Sequence, residues 1–167
     1  MTGAVLSGHR KCLRRASANT DIVRVLGFSV QVGNRNMTPY IESFYLRIGQ
    51  AAFDSALIEF TDLWVSSEVS DDFSGTEMFI RDKSGTFRYQ NTDVEVLDRL
   101  FCELNAAFVK EGIARWTSAT FKMSADGQFS IDFGYGDVED FDRALERRAE
   151  WVAKFLGADA QVDYSPL

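Results

Sequence analysis

The sequence predicts an α+β fold, an antiparallel β-sheet of about five strands with three main helices packed against it. Three stretches have apolar residues at helical spacing, and short β-type stretches lie between them. Tight-turn signals join neighbouring strands, which favours antiparallel pairing with the helices on one face. The chain has 167 residues, of which 46% are apolar, so it is long enough for one domain with a substantial core.

The first helix is predicted directly after Met37. Thr38 is a suitable N-cap residue, and Pro39 suits the first helical position. Apolar residues then recur at spacings of three and four, namely Ile41, Phe44, Tyr45, Ile48, Ala51 and Ala52. This spacing predicts a helix with one buried face.

A β-rich region follows this helix. Residues 58–69 are predicted to be a strand, and residues 71–75 read as a turn. Residues 77–81 and 86–89 then form a predicted hairpin, because Asp82-Lys83-Ser84-Gly85 between them is rich in turn residues.

The second helix is predicted to begin at Thr92, because Glu95 three residues later completes a capping box. Its buried stripe consists of Leu97, Leu100, Phe101, Leu104 and Phe108. Gly112 is the predicted stop, since glycine readily takes the left-handed conformation that ends a helix.

The last third of the chain predicts a hairpin and a third helix. Residues 116–123 read as a strand, and Asp126-Gly127 is a strong hairpin signal. The next strand has an apolar face of alternate residues, Phe129, Ile131, Phe133 and Tyr135. The final helix is predicted to end at Gly157 and to turn four apolar residues inward beside Trp151, namely Phe141, Leu145, Val152 and Phe155.

Charge divides the chain into an extension, a domain and a tail. Residues 1–36 hold six basic residues and one acidic residue, or +5, and the whole chain carries −7, so the remainder carries −12. We expect residues 1–36 to lie outside the folded domain, either as a disordered extension or because Met37 is the true start. Alternatively, residues 22–32 are apolar enough to add an edge strand to the sheet. Residues 37–157 are the predicted domain, and residues 158–167 are a tail.

The sequence offers no recognisable catalytic site. His9 is the only histidine, which removes most mechanisms that need an imidazole, and Cys12 and Cys102 are too few for a zinc site. Four acidic residues precede the last helix, Asp137, Glu139, Asp140 and Asp142, but their spacing does not fit an EF-hand loop and does suit a helix N-terminus. We therefore expect no catalytic residue, no metal and no cofactor.

The remaining charges predict the kind of partner. An acidic surface repels phosphate and favours basic proteins, so we expect no nucleic-acid binding. No run of about eighteen apolar residues predicts a membrane span, and the simplest location is the cytoplasm. Arg147 and Arg148, with Glu146 and Glu150, read as a solvated helix face, whereas Trp116 and Trp151 read as structural residues.

The second half of the chain resembles the YezG-like family of immunity proteins. The resemblance rests on the order of several short motifs, which are Trp116-Thr117-Ser118-Ala119-Thr120-Phe121, Asp126-Gly127, the strand ending in Gly134-Tyr135, Glu146-Arg147-Arg148 with Trp151, and Phe155-Leu156-Gly157. With the first helix included, the resemblance covers residues 40–157.

The resemblance implies an immunity protein or antitoxin that binds a cognate bacterial polymorphic toxin, in some cases a nuclease. The partner is then a basic protein toxin, and we expect the acidic turns to contact it, through Asp71, Asp72, Asp137, Glu139 and Asp140. The residues alone leave two alternatives open. One is a metal-dependent hydrolase built on carboxylates, and the other is an interaction module without a toxin.

Overall fold

The computed structural model describes residues 38–167, so the expectations for residues 1–36 and Met37 lie outside it. The described chain contains three α-helices, a short 3₁₀ turn and six strands. In chain order these are α1 (Pro39–Ser55), β1 (Asp62–Val69), β2 (Ser74–Arg81), β3 (Phe87–Gln90), α2 (Glu95–Lys110), β4 (Ser118–Ser124), β5 (Phe129–Gly134), the 3₁₀ turn (Phe141–Arg143), α3 (Ala144–Phe155) and β6 (Val162–Asp163). The predicted α+β class is confirmed.

The six strands form one sheet in the order β5-β4-β1-β2-β3-β6. All pairs are antiparallel except β3 with β6, which is parallel. The short β6 comes from the segment predicted as a tail, and Arg88 fixes it through an ion pair to Asp163 at 2.6 Å.

The helix α1 begins as the sequence predicts. The Thr38 hydroxyl accepts a hydrogen bond from the Ile41 amide, and Pro39 occupies the first turn. Five of the six predicted apolar residues are buried, and Ala51 is partly buried against the core.

The N-cap of helix α2 lies two residues later than predicted. Val94 is its N-cap residue, without a side-chain capping hydrogen bond, so the predicted capping box from Thr92 is wrong. The local reason is that Asp93 takes a positive φ of 56°, while the Gln90 side chain donates to the Thr92 carbonyl. All five residues of the predicted stripe are buried. Gly112 ends the helix as predicted, with a φ of 69° and a hydrogen bond from its amide to Val109.

The main core lies between one face of the sheet and the two helices α1 and α2. Alternate residues of the central strands point into it, including Leu63, Val65, Met78, Ile80 and Phe121. Trp116 is fully buried there and packs against Phe101, Phe108 and Phe133. The structural role predicted for Trp116 fits this position.

The helix α3 lies on the opposite face, so the expectation that the helices share one face is wrong. Its contacts run to sheet residues that alternate with the core residues, such as Phe79, whose ring stacks on Trp151 at 4.6 Å. Phe141 and Leu145 do not turn inward and are 54% and 76% exposed. The physical reason is that this sheet face is partly polar, so arginines and a tryptophan attach the helix where an apolar stripe was expected.

The β4–β5 hairpin forms at Asp126-Gly127. Gly127 has a φ of 84°, and the Ser124 amide donates to the Gln128 carbonyl at 2.9 Å. The hydroxyl of Ser124 donates to the Asp126 carboxylate, and this hydrogen bond lowers the pKa of Asp126.

Replacing Gly127 with valine should destabilise the protein, because a β-branched residue at positive φ costs about 1–2 kcal/mol. We expect thermal unfolding to show a Tm lowered by about 4 °C. Gly136→Val is the matched control, since Gly136 has no positive φ and nothing lies within 4 Å of the position of an added Cβ. Equal Tm values for Gly127→Val and the unchanged protein would contradict this turn geometry.

Candidate functional site

The predicted acidic residues meet at one end of the sheet. Two connections form this end, the β1–β2 turn (residues 70–73) and the acidic loop (residues 135–140), which follows β5. Between them is a small cleft of about 140 Å³. Its lining includes three of the five predicted site residues, Asp71, Asp137 and Glu139. Asp72 and Asp140 are exposed and do not line the cleft, but each follows a residue that does.

Hydrogen bonds hold the β1–β2 turn. The Ser70 hydroxyl accepts from the backbone amides of Asp72 and Phe73. Arg115 bridges the Asp71 carboxylate at 2.6 Å and the Asn105 side chain at 2.8 Å. Asn105 is itself buried and donates to the Trp116 carbonyl, so this turn is tied to the core.

The acidic loop is held through its own backbone carbonyls. The Thr117 hydroxyl donates to the Gly136 carbonyl at 2.6 Å. Arg147 donates to the carbonyls of Val138 at 3.0 Å and Asp140 at 2.5 Å. The Val138 side chain is buried beneath the loop. Three alternate carbonyls are therefore bound by side chains of neighbouring elements, which orders the loop and leaves its acidic side chains outward.

Arg147 links this loop to the sheet. Besides the two carbonyls, its guanidinium makes a bidentate contact with the Glu68 carboxylate, at 2.8 and 3.1 Å. This hydrogen bonding raises the pKa of Arg147. Its side chain is 15% exposed, so the interpretation of Arg147 as part of a solvated face is wrong.

Two further contacts fix α3 on the sheet. Arg148 pairs with Glu77 through both guanidinium and carboxylate forks and lies over the Tyr89 ring, with Cζ at 5.3 Å from the ring centroid. The Trp151 indole donates to the Thr120 hydroxyl at 2.7 Å. Burial raises the pKa of Tyr89 to about 12.

Large apolar side chains are exposed beside the acidic residues. Tyr135 is 60% exposed, and Phe141 and Leu145 follow the acidic loop with 54% and 76%. Phe141 also packs on Phe73, with ring centroids 4.9 Å apart. The sequence pattern missed this exposure, because apolar spacing shows which residues share a face but not whether that face meets the sheet.

Within residues 38–167, no group of three or more His, Cys, Asp or Glu residues is arranged to hold a metal ion. Over the same residues, no helix combines the length and apolarity that crossing a membrane requires.

Two comparisons with known proteins bear on this arrangement. The model of the family described as "YezG-like: Immunity protein YezG-like" matches residues 86–165. Immunity protein YezG of Bacillus spizizenii is 29% identical over 136 residues, which cover 72% of this chain and 84% of the relative. The predicted resemblance to the YezG-like family is confirmed.

The YezG-like match covers the part of the chain from just before β3 to β6. It includes the acidic loop, the 3₁₀ turn and the α3 residues that attach to the sheet. The β1–β2 turn with Asp71 and Asp72 lies outside it, although Arg115, which binds Asp71, lies inside. Trp151 donates a hydrogen bond to Thr120, and Thr117 and Arg147 both donate hydrogen bonds to the acidic loop. Motif residues that are far apart in sequence are therefore joined in the structure.

Replacing Arg147 with methionine should loosen the acidic loop, because two loop carbonyls and Glu68 lose their donor while the aliphatic stem is kept. We expect faster amide hydrogen exchange over residues 137–142 and a free energy of unfolding lowered by about 1–3 kcal/mol.

Arg143→Met is the matched control. Arg143 is 55% exposed, and its ion pairs within residues 38–167 go only to Glu146 and Glu150 on the helix surface. We expect its loss to leave loop exchange unchanged and stability within about 0.5 kcal/mol. Equal exchange rates in both variants would show that Arg147 does not order the loop.

Proposed function

We propose that this chain is an immunity protein that neutralises a cognate bacterial toxin by binding it directly and covering its active surface, without catalysis of its own. The observation that carries this proposal is the YezG-like match over residues 86–165, which contains the ordered acidic loop. The similarity to immunity protein YezG extends the support to most of the chain.

Charge supports a basic partner. Residues 37–167 carry a formal net charge of −12, and Asp71, Asp137 and Glu139 converge on the cleft at one end of the sheet. Opposite charges on two proteins speed their encounter and fix their orientation. A nuclease toxin fits this chemistry, because a site that binds nucleic-acid phosphates is basic.

The proposed contact residues are Asp71, Asp72, Asp137, Glu139 and Asp140. Their loops are held by Ser70, Arg115, Thr117 and Arg147 before any partner binds. An ordered loop loses little conformational entropy on association, so more of the contact energy appears as affinity. The geometry thus favours binding by a preformed surface.

Co-expression tests the function, with the toxin-like protein encoded beside this chain's gene as the probe. We expect its toxin domain to arrest growth and the full chain to restore it. The function is overturned if no protein encoded there arrests growth, or if growth stays arrested while the full chain is present in folded form.

The acidic contacts are tested by the association rate of the purified full chain with the same toxin domain at several salt concentrations. We expect the double variant Asp72→Lys and Glu139→Lys to associate about tenfold or more slowly, with a flatter salt dependence. No side-chain hydrogen bond or ion pair of Asp72 or Glu139 is seen among residues 38–167, so the fold should be kept.

Asp54→Lys with Asp159→Lys is the matched control, because it changes the net charge equally. Asp54 lies in the last turn of α1, Asp159 follows α3, and both are exposed. We expect this control to slow association much less. Equal slowing by both pairs would mean that net charge, not the acidic loops, steers the partner.

A further inference from the structure

The segment 135–145 places apolar side chains among acidic ones. Tyr135, Phe141 and Leu145 are all more than half exposed. Four acidic residues lie between Tyr135 and Leu145, namely Asp137, Glu139, Asp140 and Asp142. Large exposed apolar side chains ringed by charged ones are typical of protein–protein contact surfaces.

The fold itself does not explain the position of Leu145. The sheet-facing side of α3 is occupied by Arg147, Arg148 and Trp151, whose contacts to the sheet are made without it. Leu145 is the most exposed large apolar residue in the described chain, at 76%. It lies four residues after Phe141, across the junction between the 3₁₀ turn and α3.

The backbone beneath these side chains is ordered. Arg147 binds the carbonyls of Val138 and Asp140, and the Asp140 carboxylate accepts from the Asp142 amide at 3.1 Å. The Phe141 ring rests on Phe73, which is almost fully buried. The exposed part of Phe141 therefore stands on a fixed base, as a preformed anchor residue does.

We propose that Phe141 and Leu145 are the apolar centre of the interface with the partner, and that the four carboxylates form its rim. The partner is a protein surface with an apolar recess bordered by lysine and arginine side chains. This inference rests on the proposed function and adds to it the residues that set the lifetime of the complex.

The negative charge of this surface favours a basic protein over the other possible partners. A second copy of the chain would bring the same four carboxylates against one another, and this repulsion opposes self-association. Nucleic acid and anionic membrane surfaces present phosphate, which the carboxylates also repel. A basic protein surface both pairs with the rim and covers the apolar centre.

The test is the dissociation rate of the full chain from the toxin domain used above, with Leu145→Ala as the variant. We expect dissociation about tenfold faster and an association rate within about twofold, because the variant removes buried contact and leaves the charges. Since Leu145 is 76% exposed, we also expect an unchanged Tm.

Leu57→Ala is the matched control. Leu57 is 46% exposed and follows α1 near Gln90, whose side chain accepts from its amide. We expect this variant to dissociate like the unchanged protein.

The outcomes separate the two proposals. If the unchanged protein binds and neutralises the toxin domain but Leu145→Ala dissociates at the same rate, this inference is overturned and the proposed function stands. It is also overturned if Leu145→Ala abolishes a dimer of this chain in sedimentation and leaves toxin binding unaltered. Failure of the unchanged protein to bind the toxin domain overturns both.

Discussion

The bidentate contact between Arg147 and Glu68 connects the sheet, the helix α3 and the acidic loop. Glu68 belongs to the central strand β1, Arg147 belongs to α3, and the same guanidinium binds two carbonyls of the acidic loop. A guanidinium can do this because its donors point in several fixed directions. The sheet position of Glu68 therefore fixes both the helix and the loop that precedes it.

Different interactions hold the helices on the two faces of the sheet. The face toward α1 and α2 buries aliphatic and aromatic side chains, and removal of this apolar surface from water is the main stabilising term. The face toward α3 uses charge-assisted hydrogen bonds of Arg147 and Arg148 and one indole hydrogen bond of Trp151. Such bonds are directional, so they set where α3 lies more narrowly than apolar contact does. That precision suits an element that positions a loop.

Local patterns predicted the fold class, the buried faces of α1 and α2, and the hairpin at Gly127, because each depends on neighbours in sequence. The predicted start of α2 is wrong because the positive φ at Asp93 depends on the assembled fold. The predicted placement of α3 is wrong because the pairing of Arg147 with Glu68 also depends on the assembled fold. Charge and loop position indicated all five candidate residues, and three of them line one cleft. The exposure of Phe141 and Leu145 was missed, since apolar spacing is the same for a buried and an exposed face. A sheet face that is partly polar does not require a continuous apolar stripe in the helix that covers it.

We propose that the partner meets this end of the sheet, formed by the β1–β2 turn and the acidic loop. The most direct measurement is amide hydrogen exchange of the full chain, alone and with the toxin domain. We expect the toxin domain to slow amide exchange only in the β1–β2 turn and residues 135–145. Slower exchange over the outer surfaces of α1 and α2, around residues 50–57 and 93–99, would contradict this proposal if exchange in the β1–β2 turn and residues 135–145 were unchanged.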